Sequence, residues 1–534
     1  MPKVLISDKL SLLAVEVLEQ RGIEVDYRPG LPEEELRQIL GSYDGLAVRS
    51  NTRVTADLID TAGALKVVGR AGIGTDNIDI AAATHKGIVV MNTPGGNSIT
   101  TAEHAIALMF ALARKIPAAD RSTHAGKWEK SRFLGVEITG KTLGVIGCGS
   151  IGSIVASRAL GLRMHVLVYD PILSLERAAN LGVEKVELDS LLEASDFITL
   201  HVPLTEQTRD MIDAAALAKT KPGVFFINCA RGGLIVEEDL KAAIEAGHVA
   251  GAALDVFVEE PARDNALFGL EQVIATPHLG ASTAEAQEKV AVQVAEQIAD
   301  YLLTGAITNA VNMPSVSAED AQWLRPYLAL VQQLGSFVGQ LNCTGLKAVT
   351  IEYEGSTANL NCRPLTQTAL ASLLSPMLDS VNMVNAPVIA REREIEVTEI
   401  KHERDSDYQT LIRLTVETEQ EARSVAGTLF GGSKPRLVEI KGIEIEAEVG
   451  QHMLYITNED RPGLIGALGT ILGDAGINIA TFHLGRSERG ADALALIELD
   501  DIVRPEILER LGQVPAIKQA TPLTFSCQVG LGRV

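Results

Sequence analysis

In the middle of the chain, Thr142-Leu-Gly-Val-Ile-Gly147-Cys-Gly149-Ser-Ile-Gly152 sets three glycines at fixed spacing behind a β-rich run. A strand that enters a helix through a tight turn accommodates this pattern. Gly147 permits the turn, Gly149 lets the backbone approach a pyrophosphate, and Gly152 lets helix pack on strand. Free N–H groups at the helix start then face anionic oxygens. The next β-rich run, His165 to Tyr169, ends at Asp170, where a carboxylate can accept both ribose hydroxyl protons. Asp170 would repel a 2′-phosphate, so the expected cofactor is NAD.

This turn sits in mid-chain with βα alternation on both sides. Short β-rich runs and helical stretches alternate over residues 1 to about 95 and resume from about 140 to 280. Between them, Pro94, Gly95 and Gly96 punctuate, and Thr100 and Glu103 have capping-box spacing ahead of a long helix. The expected fold class is α/β, with two doubly wound parallel-sheet lobes: a discontinuous substrate-binding domain (1–97 and 285–315) and an inserted Rossmann domain (98–284). A cleft between the lobes is expected. Residues 316–450 give weaker signals. The best is Arg436 to Val449, whose period-two alternation breaks at Gly442 and reads as two antiparallel strands. Residues 451–534 read as strand, helix, strand, strand, helix, strand.

A formal charge of -22 argues against nucleic acid or an anionic membrane as partner. Any anionic substrate must then be held by a local basic patch. The cysteines Cys148, Cys229, Cys343, Cys362 and Cys527 are scattered, which suggests neither disulfides nor a zinc site. The longest apolar run, Ala105 to Ala113, is far short of the roughly 20 residues a membrane helix needs. A cytoplasmic location is expected.

Ligands of open α/β sheets bind outside the carboxyl ends of the strands, and three later strand candidates end there in polar residues. GVFFIN runs into Cys229-Ala230-Arg231, GAALDV carries Asp255 and leads to Glu260, and VIATP leads to His278-Leu279-Gly280-Ala281. Alone, Arg231 reads as a surface cation, Glu260 as a helix-flanking acid and His278 as a loop histidine. Together they match one chemistry. Oxidising a 2-hydroxy acid needs a base for the hydroxyl proton, a cation for the carboxylate, and a nicotinamide to take the hydride. His278 suits the base because an imidazole titrates near neutral pH. Glu260 would orient it and favour the imidazolium needed in reduction. Arg231 offers a planar fork to a carboxylate, Asp255 is left for the nicotinamide carboxamide, and no metal is required.

The segments LGVIGCGSIG, NCARGG, the EP after DVF, and PHLGAST resemble the D-isomer-specific 2-hydroxyacid dehydrogenases over residues 1 to about 315. The resemblance implies that Arg231, Glu260 and His278 are catalytic. It also implies NAD contacts at Ser150, Ile151, Asp170, Cys229, Ala230, Arg231, Asp255, His278, Leu279, Gly280 and Ala281.

Two N-terminal loops supply further cations: Arg49-Ser50-Asn51-Thr52-Arg53, and Arg70 with Gly72. Arginines beside Ser and Asn suit a phosphate. The basic loop Gly126 to Arg132 is a candidate to reach a neighbouring subunit's site. VRSNTRV and VGRAGIGTDNID resemble the branch of the family that oxidises D-3-phosphoglycerate to 3-phosphooxypyruvate, the entry to L-serine synthesis. The segment from Gly427 to Glu446 resembles that branch's intervening domain, taken as 316–450 with an allosteric role, and 451–534 resembles an ACT domain. In NEDRPGL, Pro462 suits a first helical turn whose open amides receive a carboxylate. Asp460 suits an ammonium and Asn478 offers donor and acceptor. With Asn458 they form the expected L-serine site, where the family often has Tyr in place of that Asn. The family pattern and exposed edge strands favour a homotetramer. Reduction of another 2-oxo acid, or NAD sensing without turnover, are the competing readings.

Overall fold

The computed structural model describes residues 1–316, 318–341, 345–378, 380–402 and 408–525. They form two compact units: Met1–Arg70, Gly74–Asn92 and Val294–Val534 in one, Ala71–Ile73 and Thr93–Gln293 in the other.

The first unit opens with β1 (Lys3–Ile6), β2 (Glu24–Tyr27), β3 (Gly45–Val48), β4 (Val67–Arg70) and β5 (Val89–Asn92), paired in parallel in the order β2-β1-β3-β4-β5. Apart from Lys3 and Arg70 at their ends, the central strands β1, β3 and β4 are apolar and buried because both faces are covered. Gly69 in β4 shows how tightly: a Cβ there would lie 2.6 Å from Val294 and 2.7 Å from Ile298. Those residues belong to the helix Ala284–Thr304, in which the chain returns to this sheet.

The second unit holds β6 (Thr142–Ile146), β7 (His165–Tyr169), β8 (Glu184–Lys185), β9 (Phe197–Leu200), β10 (Val224–Asn228), β11 (Val249–Leu254) and β12 (Val273–Ala275). Their parallel order is β12-β11-β10-β9-β6-β7-β8. The first strand is therefore central and the winding reverses between β6 and β9, the place where doubly wound sheets bind nucleotides. Alternate side chains feed two separate cores, Leu143 and Val145 into one and Ile146, Ile198 and Leu200 into the other. The two-residue β8 carries too little pattern to be read from sequence. The long helix runs Ser98–Ala113, so Thr100 and Glu103 lie inside it and form no capping box. Glu103 is drawn off instead to Arg158, 3.1 Å away on the helix Gly152–Gly161.

Back in the first unit, β13 (Leu346–Gly355), β14 (Glu396–His402), β15 (Thr410–Thr418), β16 (Ala422–Phe430), β17 (Lys434–Ile440) and β18 (Ile443–Ala447) form a mixed sheet in the order β14-β13-β15-β16-β17-β18. The β17–β18 hairpin turns at Lys441 and Gly442, both at positive φ, as the break in alternation at Gly442 implied. The helices Ala318–Gly339 and Arg363–Leu374 pack closely at Gly335 and Gly339, where a Cβ would meet the carbonyls of Ala369 and Leu373 at 2.4 and 2.3 Å.

The last sheet, β20-β21-β19-β22, comprises β19 (His452–Glu459), β20 (Ile479–Arg486), β21 (Asp492–Leu499) and β22 (Ile517–Thr524), all antiparallel. With the helices Leu464–Asp474 and Pro505–Gly512 it makes the βαββαβ order of an ACT domain. Both faces of β19 are buried: Leu454 and Ile456 pack under those helices, while Met453 and Tyr455 join the core of the preceding sheet. Tyr455 sits edge-on to Phe337, with ring centroids 5.4 Å apart.

Cys148, Cys229 and Cys362 are buried free thiols, while Cys343 and Cys527 lie outside the described residues. Among the described residues no helix is long and apolar enough to cross a membrane.

Candidate active site

Backbone forces the three glycines. Gly147 has φ +90°, and a Cβ there would sit 2.6 Å from the carbonyl oxygen of His201, while one on Gly152 would sit 1.9 Å from that of Gly147. Gly149 has nothing within 4 Å, so the space above the turn is open. Ser150 and Ile151 lead straight into the helix Gly152–Gly161. Asp170 ties this turn to its own loop: one carboxylate oxygen accepts from the Cys148 N–H at 2.7 Å, the other from Ile172 and Leu173 at 2.8 and 3.2 Å. A carboxylate has about four lone-pair sites, so acceptor capacity remains for a ribose hydroxyl. An open cradle, a helix start and a half-buried acid fit a dinucleotide.

The strand ends lie in register. Asn228 at the end of β10 pairs with Leu254 of β11, which pairs with Ala275 of β12. Arg231, Glu260 and His278 therefore leave one edge of the sheet from three adjacent strands, spaced by about 4.8 Å each. The Arg231 turn is closed by buried Asn228, whose side chain accepts from the Ala230 N–H at 3.0 Å and donates to the Arg231 carbonyl at 2.8 Å. Beside it, a Cβ on Gly232 would strike the Phe257 carbonyl oxygen at 1.9 Å, so this turn is pressed onto the segment that carries Glu260.

Glu260 accepts from the Phe257 N–H at 3.1 Å and meets His278 Nδ1 at 2.7 Å. Burial alone would raise its carboxyl, but the His278 bond and the Phe257 N–H hold it below the usual range. With Nδ1 engaged, Nε2 is the nitrogen left for a substrate. His278 itself has φ +54°, a left-handed backbone that costs a non-glycine residue about 1–3 kcal/mol and persists only where neighbours enforce it. Here its N–H donates to the carbonyls of Asp255 and Thr276, both at 3.0 Å.

Asp255 is fully buried. It accepts from Thr276 Oγ1 at 2.5 Å, from the Leu279 N–H at 2.7 Å and from the Gly280 N–H at 2.8 Å, and His104 Nε2 stands 3.3 Å away. Burial raises its carboxyl, and the donors, His104 foremost, bring it net below the ordinary value. Asp255 thus anchors the turn that presents His278. Sequence reasoning reserved it for the carboxamide and missed His104 and Thr276. It also missed Thr101, whose hydroxyl donates to the Gly280 carbonyl at 3.0 Å. Thr101 and His104, polar residues three apart on a largely apolar helix face, were the available signal. The Cys229 thiol is pushed up by burial and then by Asp255, so it stays protonated. Ala281 follows the turn, half-buried.

In the first unit, the loop after β3 is held by buried Asp8, which accepts from the N–H groups of Arg49 at 2.6 Å and Thr52 at 3.2 Å. Asn77 donates to the carbonyls of Arg49 and Thr52 at 2.7 and 2.6 Å and accepts from Arg70 Nε at 2.9 Å. Arg49 and Arg70 are thereby brought together around Asn77, with Ser50, Asn51 and Arg53 exposed on the same loop. Gly72, in the second unit, donates to Thr93 Oγ1 at 2.7 Å. In the basic loop Arg132 is already paired with Glu129 and Glu271.

At the C-terminal turn the helix starts at Leu464 after Gly463 at φ +95°, so Pro462 lies outside it and not in its first turn. The left-handed glycine turns the chain before the helix begins. Asp460 accepts from the Gly490 N–H at 3.0 Å and pairs with Arg486 at 3.2 Å, and Asn478 donates to Asp500 at 2.8 Å. Asn458 is buried, donates to the Glu459 carbonyl at 2.9 Å, and leaves its Oδ1 without a partner. No hydrogen bond links these three residues to one another among the described contacts.

The nucleotide cradle and the strand-end trio define an NAD-dependent oxidoreductase, and comparison with known proteins agrees. The family D-isomer specific 2-hydroxyacid dehydrogenase, NAD binding domain, matches residues 106–280; the D-3-phosphoglycerate dehydrogenase intervening domain matches 323–441; the ACT domain matches 452–516. D-3-phosphoglycerate dehydrogenase of Synechocystis is 44% identical, over 97% of this chain and 94% of its own. Those of Archaeoglobus fulgidus and Bacillus subtilis are 43% and 42% identical over 97% and 96% of this chain, and 99% and 98% of theirs. Among solved structures, the TT0316 protein from Thermus thermophilus (33% identity, TM-score 0.54) covers 58% of this chain and 99% of its own. A glyoxylate reductase from Paecilomyes thermophila (30%, TM-score 0.54) covers 58% and 98%. The chain belongs to the D-3-phosphoglycerate dehydrogenase family, within the D-isomer-specific 2-hydroxyacid dehydrogenases.

Proposed function

We propose that this enzyme oxidises D-3-phosphoglycerate to 3-phosphooxypyruvate with NAD, the first step of L-serine biosynthesis, in the cytoplasm. The observation that carries this reading is that curated relatives of that name align over 97% of the chain, catalytic lobes and C-terminal domains alike.

NAD held at the Gly147–Gly152 turn and Asp170 would supply the acceptor for the C2 hydride. His278 Nε2 takes the hydroxyl proton, its ring aimed by the 2.7 Å contact of Nδ1 with Glu260. Arg231 holds the substrate carboxylate as a planar fork. In the reverse direction the imidazolium returns the proton from Nε2, with Glu260 accepting at Nδ1. The phosphate is assigned to Arg49, Ser50, Asn51, Arg53 and Arg70, with the Gly72 segment beside Arg70 in the chain. A hydrogen bond to a charged group is worth about 1.5–3 kcal/mol, so Arg49→Gln should cost about tenfold or more in kcat/KM for 3-phosphooxypyruvate. The loss for hydroxypyruvate, which lacks the phosphate, should be far smaller. Equal losses on both acids would remove Arg49 from phosphate recognition.

L-Serine is the proposed effector, held by Asn458, Asp460 and Asn478. The ammonium would displace Arg486 from Asp460, an exposed pair of the kind that exchanges readily. Support comes from the core that the C-terminal sheet shares with the preceding one. The strand that leads into the turn, β19, contributes Met453 and Tyr455 to that shared core. Titrating the activity with L-serine should give inhibition in the wild type and a weakened response in Asp460→Ala; inhibition untouched by the substitution would remove Asp460 from the site. Among the described strands β20 and β22 are the edges of the small sheet, which supports pairing between subunits in a homotetramer, and sedimentation velocity reads that directly.

A further inference from the structure

The helix Ser98–Ala113 carries two polar side chains one turn apart that both reach the 276–280 segment. Thr101 Oγ1 donates to the Gly280 carbonyl. His104, with a side chain 20% exposed, brings Nε2 to 3.3 Å from Asp255 Oδ1 and 3.4 Å from Thr276 Oγ1. A carboxylate can only accept, so Nε2 carries the proton in this contact. Among the described contacts, the other donors to the Asp255 carboxylate are Thr276 Oγ1 and the N–H groups of Leu279 and Gly280.

We propose that His104 is a positioning residue for the dehydrogenase reaction: by donating to buried Asp255 it fixes the turn that aims the His278 imidazole. This rests on His278 being the acid-base group of the proposed function. The force of the inference lies in the left-handed backbone of His278, which needs external enforcement. That enforcement comes from the Asp255 and Thr276 carbonyls, which share the His278 N–H, and from the Asp255 carboxylate, which holds the next two N–H groups. A protonated Asp255 would lose acceptor strength at one oxygen, and the turn would slacken. Among the neighbours able to titrate, Glu260 and Cys229 are both raised by the Asp255 charge. His104 is the one that acts for it by both hydrogen bond and charge.

The test compares His104→Gln, which keeps an N–H donor at similar reach, with His104→Met, which has similar length and no donor. Keto-acid reduction by NADH is followed across the acid limb of the pH profile, with melting temperatures read alongside. The expected result is a fall in kcat of about tenfold in the Met variant, since small misplacement of a reacting group is costly. Its acid limb should move to higher pH, because Asp255 without that donor protonates sooner as pH falls. His104→Gln should stay within about threefold of the wild type with the limb in place. A Met variant with wild-type kcat and limb would overturn the proposal, as would equal losses in both variants with an unmoved limb, the mark of packing alone. Should the Met variant be unfolded at the assay temperature, His104→Gln decides: retained rate supports the donor role and a loss beyond tenfold overturns it. An inactive wild type would instead mark failure of the proposed function.

Discussion

His278→Ala should lower kcat for keto-acid reduction by about 10²- to 10⁴-fold, the range that general acid-base catalysis contributes. The loss should fall on kcat, because the cofactor cradle at Gly147–Gly152 and Asp170 is built without the His278 ring. Two nearby groups are poor substitutes for the missing imidazole. Asp255 is buried and its oxygens are engaged by four donors, and Cys229 is held protonated by burial and by Asp255. Glu260 meets the imidazole at Nδ1, on the side away from Nε2, so its carboxyl does not stand where Nε2 would meet the keto oxygen. The side chain of His278 is 48% exposed, so its removal should leave the fold intact. Steady-state rates together with NADH fluorescence titration check this: wild-type turnover, or a loss confined to NADH affinity, would contradict the assigned role.

Gly152→Ala should abolish the nucleotide turn. Its new methyl would sit 1.9 Å from the Gly147 carbonyl oxygen, a backbone atom that moves only if the turn opens. Overpacking of this kind costs about 1–3 kcal/mol and sometimes more. A lowered melting temperature and at least about a tenfold loss of NADH affinity are expected, each tenfold corresponding to about 1.4 kcal/mol. Gly149→Ala is the informative contrast. Its Cβ meets no protein atom within 4 Å, so the variant should melt like the wild type while binding NADH more weakly, because the methyl enters the space reserved for the pyrophosphate. If both variants kept wild-type affinity, the cradle would lie elsewhere.

Much of this is legible in the amino-acid sequence. The nucleotide turn, the three strand ends and the order of the last domain rest on local patterns, and short-range sterics decide them. What escaped was tertiary. His104 and Thr101 serve a turn more than 170 positions later, and no local periodicity records that. Asp8 and Asn77 shape the Arg49 loop from 41 and 28 positions away. The mixed sheet of β13–β16 was largely unread because β14, an edge strand with most side chains exposed, joins β13 in parallel across some 40 intervening residues. The capping-box spacing at Thr100 misled because the helix already begins at Ser98, which puts Thr100 inside it, and Glu103 pairs with Arg158 on a neighbouring helix. At NEDRPGL the acid and amides are present as the sequence indicated, but Asp460 already has Arg486, which only the folded sheet reveals.

The most direct check is NADH oxidation by the purified full-length enzyme with 3-phosphooxypyruvate, measured beside hydroxypyruvate and 2-oxoglutarate. The site and its relatives lead us to expect the highest kcat/KM on the phosphorylated acid. Turnover confined to an unphosphorylated acid, or NADH bound with none of the three reduced, would contradict the function assigned to this chain.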